Sequence, residues 1–488
     1  MRGFSRLLLI AAAVAAFFLF AQARRFSQAQ GAVPAGVTLG GVAVSGQTVD
    51  EVAAALTAAF QQPVAVYYGE QRVLLRPESI GFKVDARAML AEAEQYRGGW
   101  HFVAAFLGAL AGRPTPVADV PLRYTLDEAA LSRWLTDLAA RYDRPPRPPQ
   151  GLLATLSFSP GEPGLQLDVK ASLPIVRRAL AATGERRADL VLVKKPAPPP
   201  TIAVLGELLK AQAEEFPGVA SIFVRDVVRG EEVGVEPEIA FAGMSTMKIP
   251  ILVETYRHLD GPPDAEMTKL LTETISLSGN FTANLLLAFI GQGSAERGAR
   301  AVSDTLRRLG LHNTFMVAPY DWKQPVKAPS TPANSRRDIT TYPDPSMQTT
   351  AKDMALLMEM ILQCSEGQGA LLAAFPDELT PAECQEMIAL LESDRLGALI
   401  QAGVPATARV AHKHGFIDDS HGDVAIIWGP QGPYVLSIFL YRPKWLEWEL
   451  SNGTMQAIAK ATWAYFDFLA STGSGSVEQG SQAAGPAP

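Results

Sequence analysis

A serine and a lysine three positions apart, Ser245 and Lys248, open an otherwise apolar stretch, FAGMSTMKIPIL, from Phe241 to Leu252. If a helix starts at Ser245, the hydroxyl lies at its positive end and the amine lies one turn later on the same face, within reach. A serine hydroxyl is a weak nucleophile, and a neighbouring amine takes its proton only when that amine is itself uncharged. Burial among Phe241, Met244, Ile249 and Ile251, or a second cation nearby, moves a lysine pKa in the required direction. Pro250 then falls slightly past the first turn, where a proline costs least. The pair alone also reads as a polar helix start, so capping and chemistry both remain open.

Two further phrases bear on the choice. LSGNFTANLLLAFI sets Ser278, Asn280 and Asn284 just before or inside an apolar helix, and VAHKHGFIDDSHGDVAIIW sets Lys413 on a strand, where Gly415 permits close backbone approach by a ligand. Taken singly, these are an ordinary capped helix start and an edge-strand lysine. In this order, the three phrases resemble the signature set of penicillin-recognising serine enzymes: Ser-x-x-Lys, Ser-Asp-Asn and Lys-Thr-Gly. The likeness is closest to class A β-lactamases and extends from about Ala220 to Leu469, including STMKIPILVE, NFTANLLL, TTAKDMALLMEMI, DVAIIW and GPYVLSIFL.

That resemblance implies an acylated nucleophile at Ser245, with Lys248 as its base or as the partner of a catalytic water. Ser278 would relay a proton to the leaving nitrogen, and Asn280 would hold the substrate's amide. Lys413 would attract its carboxylate while helping to keep Lys248 neutral, and the backbone amides of Ser245 and Phe416 would form an oxyanion hole. The chain departs from the family pattern at three places. Gly279 stands where the second motif has Asp, so another local arrangement must hold Ser278 and Asn280. His414 stands where the third has Thr, which adds a group that titrates near neutrality. Between Arg297 and Met358 there is no glutamate, although class A enzymes use one in this region to activate the water that clears the acyl-enzyme. The corresponding loop, Ala318 to Met347, offers only Asp321, Asp338 and Asp344. Acylation is therefore expected, with slow deacylation or another base. The substrate would be a β-lactam or a peptidoglycan-derived D-alanyl peptide. No metal or organic cofactor is implied. His412, His414, Asp418, Asp419, His421 and Asp423 crowd one stretch, but a catalytic zinc site needs three converging ligands, and no His-Glu-x-x-His helix exists. A non-catalytic wall-binding protein with a degenerate domain of this type is the alternative.

The elements that must position these groups are legible in outline. ASIFVRDVVRGEEVGV reads as a β-hairpin across Arg229-Gly230, helical patterns dominate from Ile249 to Ile400, and strands return at DVAIIW and PYVLSIFLY before a last helix near Met455 to Leu469. The expected fold is α/β (α+β), an antiparallel sheet flanked by helices with an inserted helical lobe, over residues 204–470. KKPAPPPT marks a Pro-rich linker over 196–203. Upstream, TVDEVAAAL and TLDEAALSRWL each read as a Thr-x-x-Glu capping box opening a helix, and GFKVD and GLQLD each read as a short strand ending in an Asp helix cap. The duplication predicts two small α/β units, 35–120 and 121–195. They resemble the peptidoglycan-binding repeats found in front of vancomycin-resistance W-type domains, which implies attachment to cell-wall polymer.

A formal charge of −7 over 488 residues argues against a nucleic-acid partner. Arg2 and Arg6 precede an apolar run from Leu7 to Ala21, and Ala21-Gln22-Ala23 has the form of a cleavage site. Residues 1–26 therefore read as an export signal, cleaved or retained as a membrane anchor, and the protein as secreted or anchored in the bacterial cell envelope. The two cysteines, Cys364 and Cys384, are open to pairing or to separate burial. The tail 471–488, STGSGSVEQGSQAAGPAP, lacks residues to bury and is expected to be disordered.

Overall fold

Apolar residues on both faces of consecutive strands require cover on both sides, and the C-terminal unit supplies it. The computed structural model describes residues 2–113, 118–394 and 396–478. Five antiparallel strands form its sheet: β1 (Val219–Asp226), β2 (Glu231–Val235), β3 (Arg409–Phe416), β4 (Ser420–Gly429) and β5 (Gly432–Tyr441), in the spatial order β2-β1-β5-β4-β3. Side chains alternate across it, as strand geometry dictates. Phe223, Val424, Ile426, Val435 and Phe439 pack into a core with the helical lobe. Ile222, Val224, Ala425, Leu436 and Ile438 face the other way, into a core with helices Ile202–Glu215 and Trp448–Glu478. The first hairpin turns as expected, with Asp226 paired to Glu231 and the Asp226 carboxylate accepting from the Val228 and Arg229 amides.

The lobe contains helices Lys248–Arg257, Ala265–Ser276, Asn280–Ile290, Ala295–Arg308, Ala351–Ser365 and Pro381–Glu392. Cys364 and Cys384 are joined in a disulfide between the last two of these, with Cα atoms 5.8 Å apart. A small sheet, Phe241–Ala242 against Met347–Thr349 against Phe315–Met316, ties the approach to Ser245 to the loop that carries Asp321 and Asp344. Strands of two or three residues are too short to leave a periodic signal.

The chain divides into two units, one comprising Met1–Arg147 and Glu162–Ala197, the other Pro148–Gly161 and Pro198–Pro488. This corrects the expectation of two consecutive N-terminal repeats. Val64–Tyr68 pairs in parallel with Arg187–Asp189, and Lys83–Val84 pairs with Tyr124–Thr125, so strands cross the supposed boundary at residue 120. Val52, Leu56 and Phe82 share one core with Leu131, Leu135 and Val176. Residues 148–161 form a hairpin belonging to the C-terminal unit, where Phe158 packs on Tyr465 and Phe468.

Three of the four expected caps form: the Thr48–Glu51 capping box, Asp85 on the Ala88 amide and Asp168 on the Ala171 amide. The fourth is corrected. Asp127, not Thr125, caps its helix, because Thr125 is held in a strand and the Asp127 carboxylate accepts from the Ala130 amide. Two helix ends also differ from expectation. The N-terminal helix runs through Ala29, past Arg24 and Arg25, and the C-terminal helix runs from Trp448 to Glu478, past Ser471. Ser471 and Thr472 hydroxyls bond back to the Phe468 carbonyl, as hydroxyl residues inside helices do. Residues 479–488 of the expected disordered tail lie outside the described residues.

Candidate active site

Ser245 sits in a 3-10 turn, Met244–Met247, and Lys248 is the first residue of the α-helix that continues from it, so the helix begins slightly later than expected and Pro250 falls within its first turn. The turn is strained: Met244 adopts a left-handed backbone with φ 49°, which costs a non-glycine residue roughly 1–3 kcal/mol. Tyr320 Oη donates to the Met244 carbonyl at 2.9 Å, and Thr246 Oγ1 donates to the Gly243 carbonyl at 2.5 Å, which hold it there. Gly415 explains how the third phrase reaches the first. A Cβ on it would stand 2.7 Å from the Ser245 amide nitrogen and 2.9 Å from Met244 Cβ. The close approach is thus by the chain's own Ser245 turn.

Lys248 Nζ lies 2.7 Å from Ser245 Oγ and 2.9 Å from Asn280 Oδ1. The lysine is fully buried, and Phe241, Met244, Ile249 and Ile251 are all at most 5% exposed. Burial first, and then the positive charge of Lys413, lower its pKa to about 7 against a small opposing effect from Asp321. The Tyr320 ring lies under the amine, 4.2 Å from centroid to nitrogen. Asn284, within the apolar helix, clamps the Tyr320 backbone through both its amide and its carbonyl, at 2.9 and 3.0 Å.

Lys413 is fully buried, and its Nζ donates to Asp394 Oδ2 at 3.2 Å. The same oxygen accepts from His414 Nδ1 at 2.8 Å. Burial would raise the Asp394 carboxyl, but the His414 hydrogen bond and the charges of Lys413 and His412 outweigh it and hold the group well below the usual carboxylate range. Burial lowers Lys413 more than Asp394 raises it. His412 turns instead to Asp423 at 3.0 Å, and Asp423 also accepts the Ile400 amide. His412 and His414 therefore go to separate carboxylates and His421 to the Ser451 hydroxyl, and the described residues contain no group of three or more ligands placed to hold a metal.

Ser278, half-buried, adopts a left-handed backbone with φ 57° in the bend before the Asn280 helix. A different arrangement does replace the usual Asp. Thr274 Oγ1 donates to Thr282 Oγ1, which donates to the Gly279 carbonyl, and a Cβ on residue 279 would stand 2.6 Å from Thr282 Oγ1. A cavity of about 600 Å³ opens in front of Ser245, and Asn280, Tyr320, Asp321, Asp344 and Phe416 lie on its wall. Ser278 and Lys413 are not among the lining residues. Asp344 accepts from both the amide and the hydroxyl of Ser346, and Asp338 is paired with Arg336. Asp394 and Tyr320 were not singled out by sequence; Asn284 was, but without its task.

The family described as the beta-lactamase enzyme family matches residues 205–262 and 262–466, more than half of the chain. The chain belongs to the beta-lactamase enzyme family. N-terminal to this beta-lactamase-family domain, a family described as a peptidoglycan-binding domain matches residues 74–189, across the middle of the interleaved unit. No curated protein matches the chain. Similar solved structures include PBP-A, at 19% identity and a TM-score of 0.43, covering 56% of this chain and 99% of that one. The last common ancestor of Gram-negative bacteria class A β-lactamase aligns at 23% identity and a TM-score of 0.41, covering 54% and 100%. A β-lactamase from Xanthomonas campestris pv. campestris aligns at 20% and 0.41, covering 53% and 97%.

Proposed function

We propose that this β-lactamase-like serine hydrolase domain is an exported enzyme that forms an acyl-enzyme at Ser245 with β-lactams or D-alanyl peptide-like substrates and releases it slowly. One observation carries the reading: an amine with its pKa lowered to about 7 stands 2.7 Å from a serine oxygen at the mouth of a cavity. Neutral Lys248 takes the Ser245 proton as Oγ attacks the substrate carbonyl. The backbone amides of Ser245 and Phe416, brought close by Gly415, receive the developing oxyanion; losing such a donor typically costs about 3 kcal/mol of barrier. As the carbon–nitrogen bond breaks, a proton passes to the leaving nitrogen through Ser278, which must reach into the cavity to do so. Asn280 holds the substrate amide with the side-chain nitrogen that Lys248 leaves free. Lys413, committed to Asp394, keeps Lys248 neutral and draws an anionic substrate by its field.

Slow release follows from the loop. Tyr320, which carries no carboxylate, covers the amine, and Asp338 is engaged with Arg336. Asp321 and Asp344 are the carboxylates at the cavity wall. The N-terminal unit would hold the enzyme near peptidoglycan. Intact-mass spectrometry after mixing with benzylpenicillin should show a long-lived adduct, absent from Ser245→Ala. Full antibiotic turnover without an adduct would reject slow release. No adduct, with retained pull-down on purified peptidoglycan, would favour the non-catalytic wall-binding alternative.

A further inference from the structure

Helix Gly99–Leu110 lies in a stretch without a single charge, GGWHFVAAFLGALAG, from Gly98 to Gly112. Trp100, Val103, Leu107 and Leu110 follow the 3-4-3 spacing that puts residues on one helical face, and all four are exposed, Trp100 by 75% and Leu107 by 54%. The flank beside this stripe is occupied. Phe102 and Phe106 pack on Phe26 with ring centroids 5.7 and 5.6 Å away, and Ala105 and Gly108 are buried. Phe26 belongs to the N-terminal helix, whose segment Leu9–Ala29 is apolar and long enough to cross a membrane, with none of its most apolar window buried by protein. Phe26 directly follows Arg24 and Arg25 and lies three residues before the end of that segment, or about 4.5 Å from it along the axis at 1.5 Å per residue. The exposed stripe is therefore held at the level where that helix leaves the hydrocarbon.

We propose that Gly99–Leu110 is an interfacial helix that lies in the headgroup region of the bilayer crossed by the N-terminal helix, and so seats the N-terminal unit on the membrane surface. Twelve residues are too few to span a bilayer. They suit a helix lying in the plane, with tryptophan at the headgroup level and leucines reaching the acyl boundary. Arg24 and Arg25, both exposed between Ala23 and Phe26, supply the cationic flank that anionic headgroups attract. A stripe of this size on a soluble surface would be an aggregation liability, and a bilayer at this height removes it. The inference rests on the N-terminal helix spanning the membrane and not on the acyl-transfer reading.

The full chain, with Leu107→Cys or Val14→Cys carrying a nitrobenzoxadiazole probe, is reconstituted in phosphatidylcholine–phosphatidylglycerol vesicles. The native cysteines are disulfide-paired and buried, so they do not label. The Leu107 probe should shift to the blue and be quenched at least twofold by lipids with a nitroxide near the glycerol backbone, and this should persist at one chain per vesicle. A Leu107 probe with aqueous emission beside a dry Val14 probe would leave the span standing and overturn the interfacial helix. Drying that vanishes on dilution to one chain per vesicle would assign the stripe to a second copy and overturn it as well.

Discussion

If Lys248 is the base that activates Ser245, the acylation rate tracks the fraction of that amine without a proton. Displacement of the lysine from 10.5 to about 7 corresponds to on the order of 5 kcal/mol of preference for the neutral form. With a pKa near 7, about one amine in eleven is neutral at pH 6 and about ten in eleven at pH 8. Stopped-flow measurement with a fluorescent penicillin should therefore give a rate constant about tenfold higher at pH 8 than at pH 6, flat above pH 8.5. Because Lys413's charge is the second cause of the displacement, Lys413→Met should move the inflection to higher pH. A profile flat between pH 6 and 8, a native inflection above pH 9, or an inflection that moves down in Lys413→Met would refute the reasoning.

The depressed lysine also has a stability consequence. Between about pH 7 and 10.5 the unfolded chain binds a proton at Lys248 that the native chain does not, so native stability rises with pH across that window. Lys248→Met should abolish acylation yet raise stability below pH 7 by about 3 kcal/mol, after loss of two hydrogen bonds, with the gain gone by about pH 9 and reversed to a loss of about 2 kcal/mol above about pH 10.5 in urea titrations. Asp394→Asn leaves Lys413 buried without a counter-charge and should cost about 3–5 kcal/mol in the same assay. The carboxyl is held below its unfolded pKa, so this difference should be full above about pH 4 and shrink as pH falls further. Gly279→Ala, with its Cβ 2.6 Å from Thr282 Oγ1, should cost about 1–2 kcal/mol and slow acylation, and adding Thr282→Ala should restore the melting temperature. Tyr320→Glu puts a carboxylate beside Lys248 and should shorten the adduct lifetime at least about tenfold by intact-mass time course; an unchanged lifetime would separate deacylation from this position.

What the sequence discloses is whatever is local or paired with a fixed spacing. Ser245 and Lys248 are one turn apart, so any helix at that point brings them together, and the apolar letters around them already state the direction of the lysine's pKa. The hairpin at Arg229-Gly230 and the Asp85 and Asp168 caps are legible for the same reason. Asp394 is not: it lies nineteen residues before Lys413, in the loop after a helix, and nothing in its own neighbourhood distinguishes it from a surface aspartate. Tyr320 likewise has its place through Asn284, thirty-six residues upstream, and the Met244 carbonyl, further still. The capping letters at Thr125 matched their pattern, but pairing of that residue with Lys83 claimed it for a strand. Paired cysteines and the shared N-terminal core depend on contacts that no window of sequence contains.

That shared core constrains how the protein can be made. Strand Val64–Tyr68 pairs at once with its neighbour Gln71–Leu75 but waits for Arg187–Asp189 before its sheet is complete, so its other edge stays open until the chain has been made through residue 187. Long-range parallel pairing closes slowly. During synthesis that open edge is the part of the unit exposed longest, and a stop before residue 187 would leave the strand without its parallel partner.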